Sequence, residues 1–433
     1  MANYTVARGT RDILGLEKKK ESIVCEVIES IASTYGYNMV ETPMFESTDL
    51  FCRSVGESSD IVNKEMYTFL DKGERSITLR PEGTAGVIRL FVNNKLHNNP
   101  DLPVKLMYLG PVFRYERPQS GRYRQFKQFG FECVGLKNPY VDVELILMVK
   151  NILETLGFEN LIIKLNTLGD SASRLNYINA LKDYFKPYLE GENALCPDCK
   201  RRYEQNPLRI LDCKYDAEHQ AIKNAPKIND YLNQESQDYF LEVLDLLKKM
   251  NVNYEVDTSL VRGLDYYNDV VFEIYQEGKN FGALGAGGRY DNLVKDLGGP
   301  LMPATGFAFG IERLILAMDQ DALFDDLHEF DLDILVMPLS SKCNEMALKT
   351  AEFLRKNGLI VEMDFMNRSL KSQFKTVERK NAPVALIIGE DELMNNTFII
   401  KDTKKMEQVT VKEEELLDTI GNILGGMMYE NND

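Results

Sequence analysis

No run in this 433-residue sequence approaches the roughly 20 apolar residues that a membrane-spanning helix needs. The opening MANYTVARGTRDIL likewise lacks the apolar core of a secretory leader, so a cytoplasmic protein is expected. The seven cysteines (Cys25, Cys52, Cys133, Cys196, Cys199, Cys213, Cys343) are odd in number and scattered, which argues against a disulfide framework in a chain of this size. Most of them are expected to fill apolar space. Positive charge is outnumbered, 51 Lys and Arg against 67 Asp and Glu, for a formal net charge of -16. That balance argues against sequence-blind nucleic-acid binding, which depends on a broad basic surface to neutralise phosphates. Local basic clusters remain compatible with it. Short-period repeats and low-complexity segments are lacking too.

With 44% hydrophobic and 27% charged residues the chain can bury substantial cores, and its length suits about three domains. Residues 17–35 set Ile23, Val24, Val27, Ile28 and Ile31 at helical spacing before Gly36, where a helix would stop. YNMVE then runs as a short strand towards Pro43, and MYTFLDKGERSITLR reads as a hairpin turning at 71–74. Residues 104–116 and 122–135 form a second strand pair, and YEVDTSL, YNDVVFEIYQ and PATGFAF add strands between 254 and 309. Antiparallel-looking strands with few intervening helices predict an α+β domain, with parts at 1–169 and 253–325. A polar, helical stretch at 170–252, including the amphipathic SQDYFLEVLDLLKKM, reads as an inserted domain. After the polar linker DQDALFDDLHEF, residues 331–433 alternate strands with helices, a compact α/β domain.

Against the acidic background, FRYERPQSGRYRQFKQFGFE (113–132) gathers Arg114, Arg117, Arg122, Arg124 and Lys127. Strand alternation puts Arg114 and Glu116 on one face, and aligns Arg124, Phe126, Gln128, Gly130 and Glu132 on the partner strand. Arginine grips phosphate oxygens with a fork of donors. Phe126 offers a plane for a base, while Gln128 and Glu132 can accept from an amine or imidazole. A solvated hairpin laced with surface ion pairs is the alternative. TLRPEGTAGVIRLF (78–91) places Glu82 and Thr84 at a helix N-terminus rich in spare donors, where Thr84 either caps the helix or meets a ligand. LVRGLDYYNDVVFEI carries Arg262, Asp265, Tyr266 and Tyr267 beside Gly263, which lets the backbone come close to something; a Tyr-rich strand edge reads the same way. GALGAGGRYDNLV is not the dinucleotide fingerprint, because Tyr290 stands where its last glycine would fall. It reads as a glycine-rich bend beside a substrate or as a plain turn. In ATGFAFGIERLIL, small residues Gly306, Ala308 and Gly310 leave room against a strand, and the following helix projects Arg313, which a surface role would also explain.

In their order and spacing, Arg-Tyr-Glu before a basic loop and a strand leading into Gly-Ile-Glu-Arg resemble motifs 2 and 3 of class II aminoacyl-tRNA synthetases. Pro43 after the long helix resembles motif 1, the dimer-forming segment. The stretches LRPEGTAG, FRYERPQSGRYRQFKQFG, VRGLDYY and GGRYDNLV narrow the resemblance to the bacterial histidyl-tRNA synthetase family, from ARGTRDIL at residue 7 into the C-terminal domain. The resemblance implies a catalytic domain of antiparallel sheet flanked by helices, a helical insertion, a C-terminal α/β anticodon-binding domain and a homodimer. It also implies histidine–tRNA ligase activity, with ATP, L-histidine, histidine tRNA and Mg2+ as substrates and cofactor.

Carried over position by position, the resemblance gives Arg114 the α-phosphate of ATP, Arg313 the γ-phosphate, and Glu116 with Phe126 the adenine. Glu82, Gly83, Thr84, Gln128, Glu132, Tyr266, Tyr267 and Tyr290 would surround the histidine. Arg262 would sit near the reacting carboxylate and, with Arg114, carry the catalysis. Attack of one anion on another requires cationic groups to neutralise the developing charge, and an ionised nucleophile requires no general base. The three histidines, His97, His219 and His328, all lie outside these motifs. Gln119, in the turn, would meet the acceptor end of the tRNA. Arg368, Lys371, Lys375 and Arg379, spaced three, four and four apart, form a basic stripe on one helical face that the resemblance assigns to tRNA.

CPDCKRRYEQNPLRILDCK (196–214) offers Cys196, Cys199 and Cys213 with His219 nearby, a set that can hold zinc; a second C-x-x-C is missing, and no metal is assigned. Two other classes compete with an enzyme. A histidine-sensing paralogue, acting as regulatory subunit of ATP phosphoribosyltransferase, usually departs in the Arg-Gly-Leu-Asp-Tyr-Tyr segment and lacks the anticodon domain, and this chain keeps both. An interaction protein built on the same fold leaves the phosphate-gripping arginines unexplained.

Overall fold

A computed structural model of the chain describes residues 4–56, 59–117, 121–329 and 332–430. They form two compact units, Met1–Ile13 with Lys20–Asp325 and Leu14–Lys19 with Asp326–Asp433. No helix among the described residues is long and apolar enough to cross a membrane.

The predicted first helix is α1 (Gly15–Thr34), whose Val24, Ile28 and Ala32 recur every fourth residue on its buried face. There follow β1 (Asn38–Met39), β2 (Phe45–Ser47), α2 (Thr48–Val55) and the predicted hairpin as β3 (Tyr67–Leu70) and β4 (Ser76–Leu79), with β2, β4 and β3 making a small antiparallel sheet. After α3 (Thr84–Asn93) come β5 (Val104–Phe113) and β6 (Gln125–Val134), paired antiparallel from Val104↔Val134 to Phe113↔Gln125. Both strands are shorter than the sequence suggests, since the chain leaves the ladder before Arg114 and rejoins after Arg124. Residues 139–155, not assigned on sequence, form α4 (Pro139–Thr155); Asn138 caps it by accepting the Tyr140 N–H, with Pro139 in the first turn.

Beyond β7 (Leu161–Thr167) the insertion runs through α5 (Ser171–Phe185), α6 (Pro197–Gln205) and α7 (Gln220–Lys223), around its own core of Tyr177, Leu181, Phe185, Leu195, Leu208, Ile210 and Ile228. Then α8 (Gln234–Lys249) leaves that core and packs on α4, where Tyr239 Oη donates to Asp142 at 2.6 Å. By packing, α8 thus rests on α4 rather than in the core of Tyr177, Leu181 and Phe185. The chain completes the first unit with β8 (Tyr254–Val256), β9 (Asn268–Gln276), β10 (Gly285–Arg289), α9 (Leu293–Asp296), β11 (Ala304–Gly310) and α10 (Ile311–Gln320).

The main sheet has the order β1-β5-β6-β11-β10-β9-β7-β8. Its six inner strands are antiparallel, and only the short edge strands β1 and β8 pair in parallel. The glycine-rich stretch read as a bend is β10, a central strand. It succeeds there because its neighbours leave no room for side chains: a Cβ on Gly287 would stand 2.3 Å from the Gly306 carbonyl oxygen.

The second unit is the α/β domain expected from 331 onwards. It holds β12 (Ile334–Pro338), α11 (Asn344–Lys356), β13 (Val361–Met363), α12 (Leu370–Arg379), β14 (Val384–Ile388), α13 (Glu390–Asn395), β15 (Thr397–Asp402), β16 (Gln408–Lys412) and α14 (Leu416–Glu430). Strands β13, β12 and β14 are parallel, and β15 and β16 add antiparallel pairs at one edge. Ile334 and Val336 face a core shared with α11 and α14, while Leu335 and Met337 face one shared with Val377 of α12. Burial on both faces explains why this strand reads as unbroken apolar sequence.

Candidate active site

One cavity of about 430 Å3 opens on the face of the main sheet. It is lined by Glu82 and Thr84 from the start of α3, Arg114 and Glu116 after β5, Phe126, Gln128 and Glu132 of β6, Arg262, Tyr266 and Tyr267 before β9, Tyr290 after β10, and Arg313 of α10. Side chains two apart on β6 point the same way, so Phe126, Gln128 and Glu132 form a row along the floor. Beside that row the small residues Gly306, Ala308 and Gly310 of β11 leave the space open. A Cβ on Gly306 would stand 2.1 Å from Glu132 Oε2 and 2.6 Å from the Tyr290 hydroxyl.

One end of the cavity is cationic. The Arg114 guanidinium lies 5.5 Å from the Phe126 ring centre and donates from Nε to the Pro81 carbonyl at 2.8 Å, which aims its remaining donors elsewhere. Arg313 donates to the Phe281 carbonyl at 3.1 Å. Burial, then repulsion from Arg122, lowers the Arg313 pKa, a strain that an anion between the two guanidiniums relieves. Arg262 is paired with Glu273 and lies 5.4 Å from the centre of the Tyr267 ring. Burial opposes its charge, but Tyr267 and Glu273 outweigh burial and raise its pKa. Its buried Nε has no hydrogen-bond partner among the described residues.

The other end is buried and carries carboxyls. Glu82 accepts the N–H groups of Thr84 at 2.9 Å and Ala85 at 2.8 Å, so the carboxylate, not the Thr84 hydroxyl, caps α3. Burial nonetheless raises its pKa. Glu132 is 1% exposed and accepts from the Tyr290 hydroxyl; burial pushes its carboxyl up to about 8. Gln128 Oε1 accepts from the Gly83 N–H and from Tyr108 Oη, each at 3.0 Å, which fixes its amide orientation with the NH2 group outward. Gly83 is required there, since a Cβ would fall 2.0 Å from the Tyr108 ring. Tyr266, Tyr267 and Tyr290 pack edge to face or tilted, with centroids 4.6 to 6.2 Å apart.

Thus the folded chain brings together every small-molecule residue expected from the sequence, with Gly83 behind the wall. Arg124 does not belong: it lies over the Tyr115 ring at 3.7 Å. Glu273, Tyr123 and Glu312 line the cavity and were missed. Glu273 stands between Phe272 and Ile274 on an apolar strand, and its charge inside YNDVVFEIYQ was the available signal. Gln119 lies outside the described residues. In the second unit, Lys371, Lys375 and Arg379 are exposed on α12, but Arg368 precedes the helix and pairs with Asp364 at 2.5 Å. Ser369 ends the extended segment as N-cap, so three residues rather than four form the stripe.

A six-strand antiparallel core with guanidiniums at one end of its cavity and buried carboxyls at the other is the catalytic unit of a class II aminoacyl-tRNA synthetase. Residues 9–314 match the family model described as Histidyl-tRNA synthetase, and 333–423 match an anticodon binding domain. The chain is 46% identical over 417 residues to the histidine–tRNA ligase of Bacillus subtilis (strain 168), covering 96% of this chain and 97% of that one. The crystal structure of apo S. aureus histidyl-tRNA synthetase aligns with TM-score 0.81 at 38% identity, over 96% of this chain and all of the other. A structure titled as an ATP phosphoribosyltransferase regulatory subunit/histidyl-tRNA synthetase from Bacillus halodurans C aligns with TM-score 0.63 at 21% identity, over 89% of this chain and 98% of that one, a likeness of fold alone. The chain belongs to the histidyl-tRNA synthetase family.

Proposed function

We infer that the chain is a histidine–tRNA ligase. A carboxylate oxygen of L-histidine attacks the α-phosphorus of ATP, the bond to the bridging oxygen breaks, and pyrophosphate leaves. The terminal ribose hydroxyl of histidine tRNA then displaces AMP from the histidyl carbonyl. The observation that carries this reading is the polarity of this cavity: Arg114, Arg262 and Arg313 at one end, Glu82, Glu132 and the tyrosines at the other. A polyphosphate suits the first end and a cationic amino acid the second.

In this reading Arg114 and Arg262 neutralise charge growing on the α-phosphate, Arg313 holds the γ-phosphate, and Phe126 and Glu116 hold the adenine. Glu82, Thr84, Gln128, Glu132 and Tyr290 read the ammonium and imidazole, with Tyr266 and Tyr267 closing the walls and Gly83 giving its N–H to Gln128. Mg2+ binds nucleotides through phosphate oxygens plus one or two carboxylates. The cavity's remaining carboxylates, Glu273 and Glu312, are each engaged, by Arg262 and by the Lys127 N–H, so an ion would be held mainly by the phosphates with either carboxylate as a protein ligand. The ion would add positive charge at the phosphates.

The α12 cations and Gln119 serve the tRNA, Pro43 belongs to a dimer-forming segment, and the substrates set the protein in the cytoplasm. The domain boundaries of this scheme are 1–169 with 253–325 for catalysis, 170–252 for the insertion and 331–433 for the anticodon. The anticodon-binding match at 333–423 favours the enzyme over a histidine-sensing regulatory subunit. Histidine-dependent ATP–pyrophosphate exchange followed by charging of histidine tRNA tests the reading; exchange stimulated by another amino acid, or by none, overturns it.

A further inference from the structure

The insertion brings Cys196, Cys199, Cys213 and Asp216 together, with one ligand atom from each and all four atoms within 4.8 Å of one another. The two sulfurs of Cys196 and Cys213 are 3.7 Å apart, and Cys213 Sγ is 3.8 Å from Asp216 Oδ2. A tetrahedral site with Zn–S bonds of about 2.3 Å has an S–S edge of about 3.8 Å, whereas a disulfide needs about 2.05 Å.

We propose that these four residues form a closed, structural Zn2+ site that fixes the insertion against the loops bordering the active site. The pair missing from the sequence pattern is completed by a carboxylate: C-x-x-C at 196–199 is answered by C-x-x-D at 213–216. The two turns are alike. Cys196 Sγ accepts the Cys199 N–H and Cys213 Sγ accepts the Asp216 N–H, each at 3.4 Å, so the two turns hold their sulfurs in the same way. Cys196 is also the N-cap of the nine-residue α6, where the helix dipole favours negative charge. Cys199, Cys213 and Asp216 are buried, and Asp216 Oδ2 is oriented by the Cys196 N–H at 2.9 Å. His219, the other candidate ligand, faces away: Nδ1 accepts the Ala221 N–H and Nε2 meets the Asn193 carbonyl oxygen.

Three soft thiolates with one carboxylate and no open position suit Zn2+ rather than Mg2+ or Ca2+. Binding releases the thiol protons and leaves a formally anionic centre, beside which the Arg202 guanidinium stands. The stapled segment reaches the catalytic loops, as does Arg174 of α5, which donates to the Asp265 and Tyr267 carbonyls. Arg202 pairs with Asp60 at 3.2 Å, Asn206 donates to Asp265 at 2.8 Å, and Arg209 donates to the Gly263 carbonyl at 2.8 Å, next to Arg262. An insertion with so small a core needs such a staple.

The test is metal analysis of the full-length protein purified without chelator, with Co2+ exchange as an independent readout. The expected result is about one zinc per chain and, with Co2+, thiolate-to-cobalt charge-transfer absorption. Cys199→Ser weakens that absorption and loses zinc, Asp216→Cys strengthens it, and His219→Ala leaves both unchanged. Protein that carries no zinc and takes none up from a Zn2+ buffer overturns the proposal. So does zinc content indifferent to Cys199→Ser, or a Cys196–Cys213 disulfide in the native protein. Because the first readouts use the unaltered chain, a variant that fails to fold does not rescue the idea.

Discussion

Burial pushes the Glu132 carboxyl up to about 8, against the pull of the hydrogen bond from Tyr290 and reinforced by the neighbouring Glu82. The unfolded carboxyl titrates near 4.5. Between those values the folded protein keeps a proton that the unfolded chain has lost, so this group's contribution to stability falls as pH rises through the window. Urea midpoints of the ligand-free protein are therefore expected to decline from about pH 5 to 8 more steeply in the native sequence than in Glu132→Gln. Parallel declines would refute the assignment. Arg289 is fully buried and holds Asp142 and Asp291, each at 2.9 Å, immediately before Tyr290. Arg289→Met leaves the buried Asp142 carboxylate uncompensated and is expected to cost about 3–5 kcal/mol in denaturant unfolding. A cost under about 1 kcal/mol, as for exposed pairs, would contradict it. Arg262→Ala is expected to slow exchange by roughly 10²–10³-fold, as loss of one transition-state donor does, with ATP affinity much less affected. An unaffected rate removes Arg262 from the chemistry. None of these three environments was visible in the sequence: Arg262 stood out as a charge beside a glycine, but Glu273, which orients it, lay within an apolar strand.

At the scale of elements, the pocket depends on β10 and β11 being nearly bare. Gly306→Ala puts a methyl against the Glu132 carboxyl and the Tyr290 hydroxyl, displacing the floor of the cavity. Misplacement by about 1 Å can cost about 100-fold, so kcat/KM for histidine is expected to fall to that degree while the protein still melts cooperatively. Unchanged histidine kinetics would show that the space is not used. The hairpin 104–135 was legible because its residues alternate and its turn is polar. The strand β10 was not, because glycine is scarce in strands; only the close approach of the β9 and β11 backbones makes GAGGR a strand. Likewise α8 carries the same amphipathic signal whether it packs on the insertion or on α4. Periodicity reveals a buried face but not what buries it.

For the whole molecule, a formal charge of -16 must coexist with binding a polyanion. The exposed Lys371 and Lys375 sit one turn apart on α12, in the unit that matches an anticodon binding domain. Replacing both with Glu is expected to raise the KM for histidine tRNA roughly tenfold and to make that KM less dependent on salt, since fewer phosphates are neutralised. Exchange, which needs no tRNA, is expected to be unchanged; an equal loss in exchange refutes a role confined to tRNA. The sequence by itself determined the family, the α+β and α/β classes of the two units and nearly all the cavity's polar residues, because spacing along strands and helix starts is a local property. Tertiary structure decided what lies across from each of them: Glu82 rather than Thr84 as the cap, Glu273 behind Arg262, Arg368 turned back onto Asp364, and Asp216 beside three cysteines. The Glu82 and Arg368 contacts are short in sequence and were selected by the turn of the backbone, whereas Glu273 and Asp216 reach their partners through packing, and no local pattern encodes which side chain of another segment will supply the missing charge or ligand.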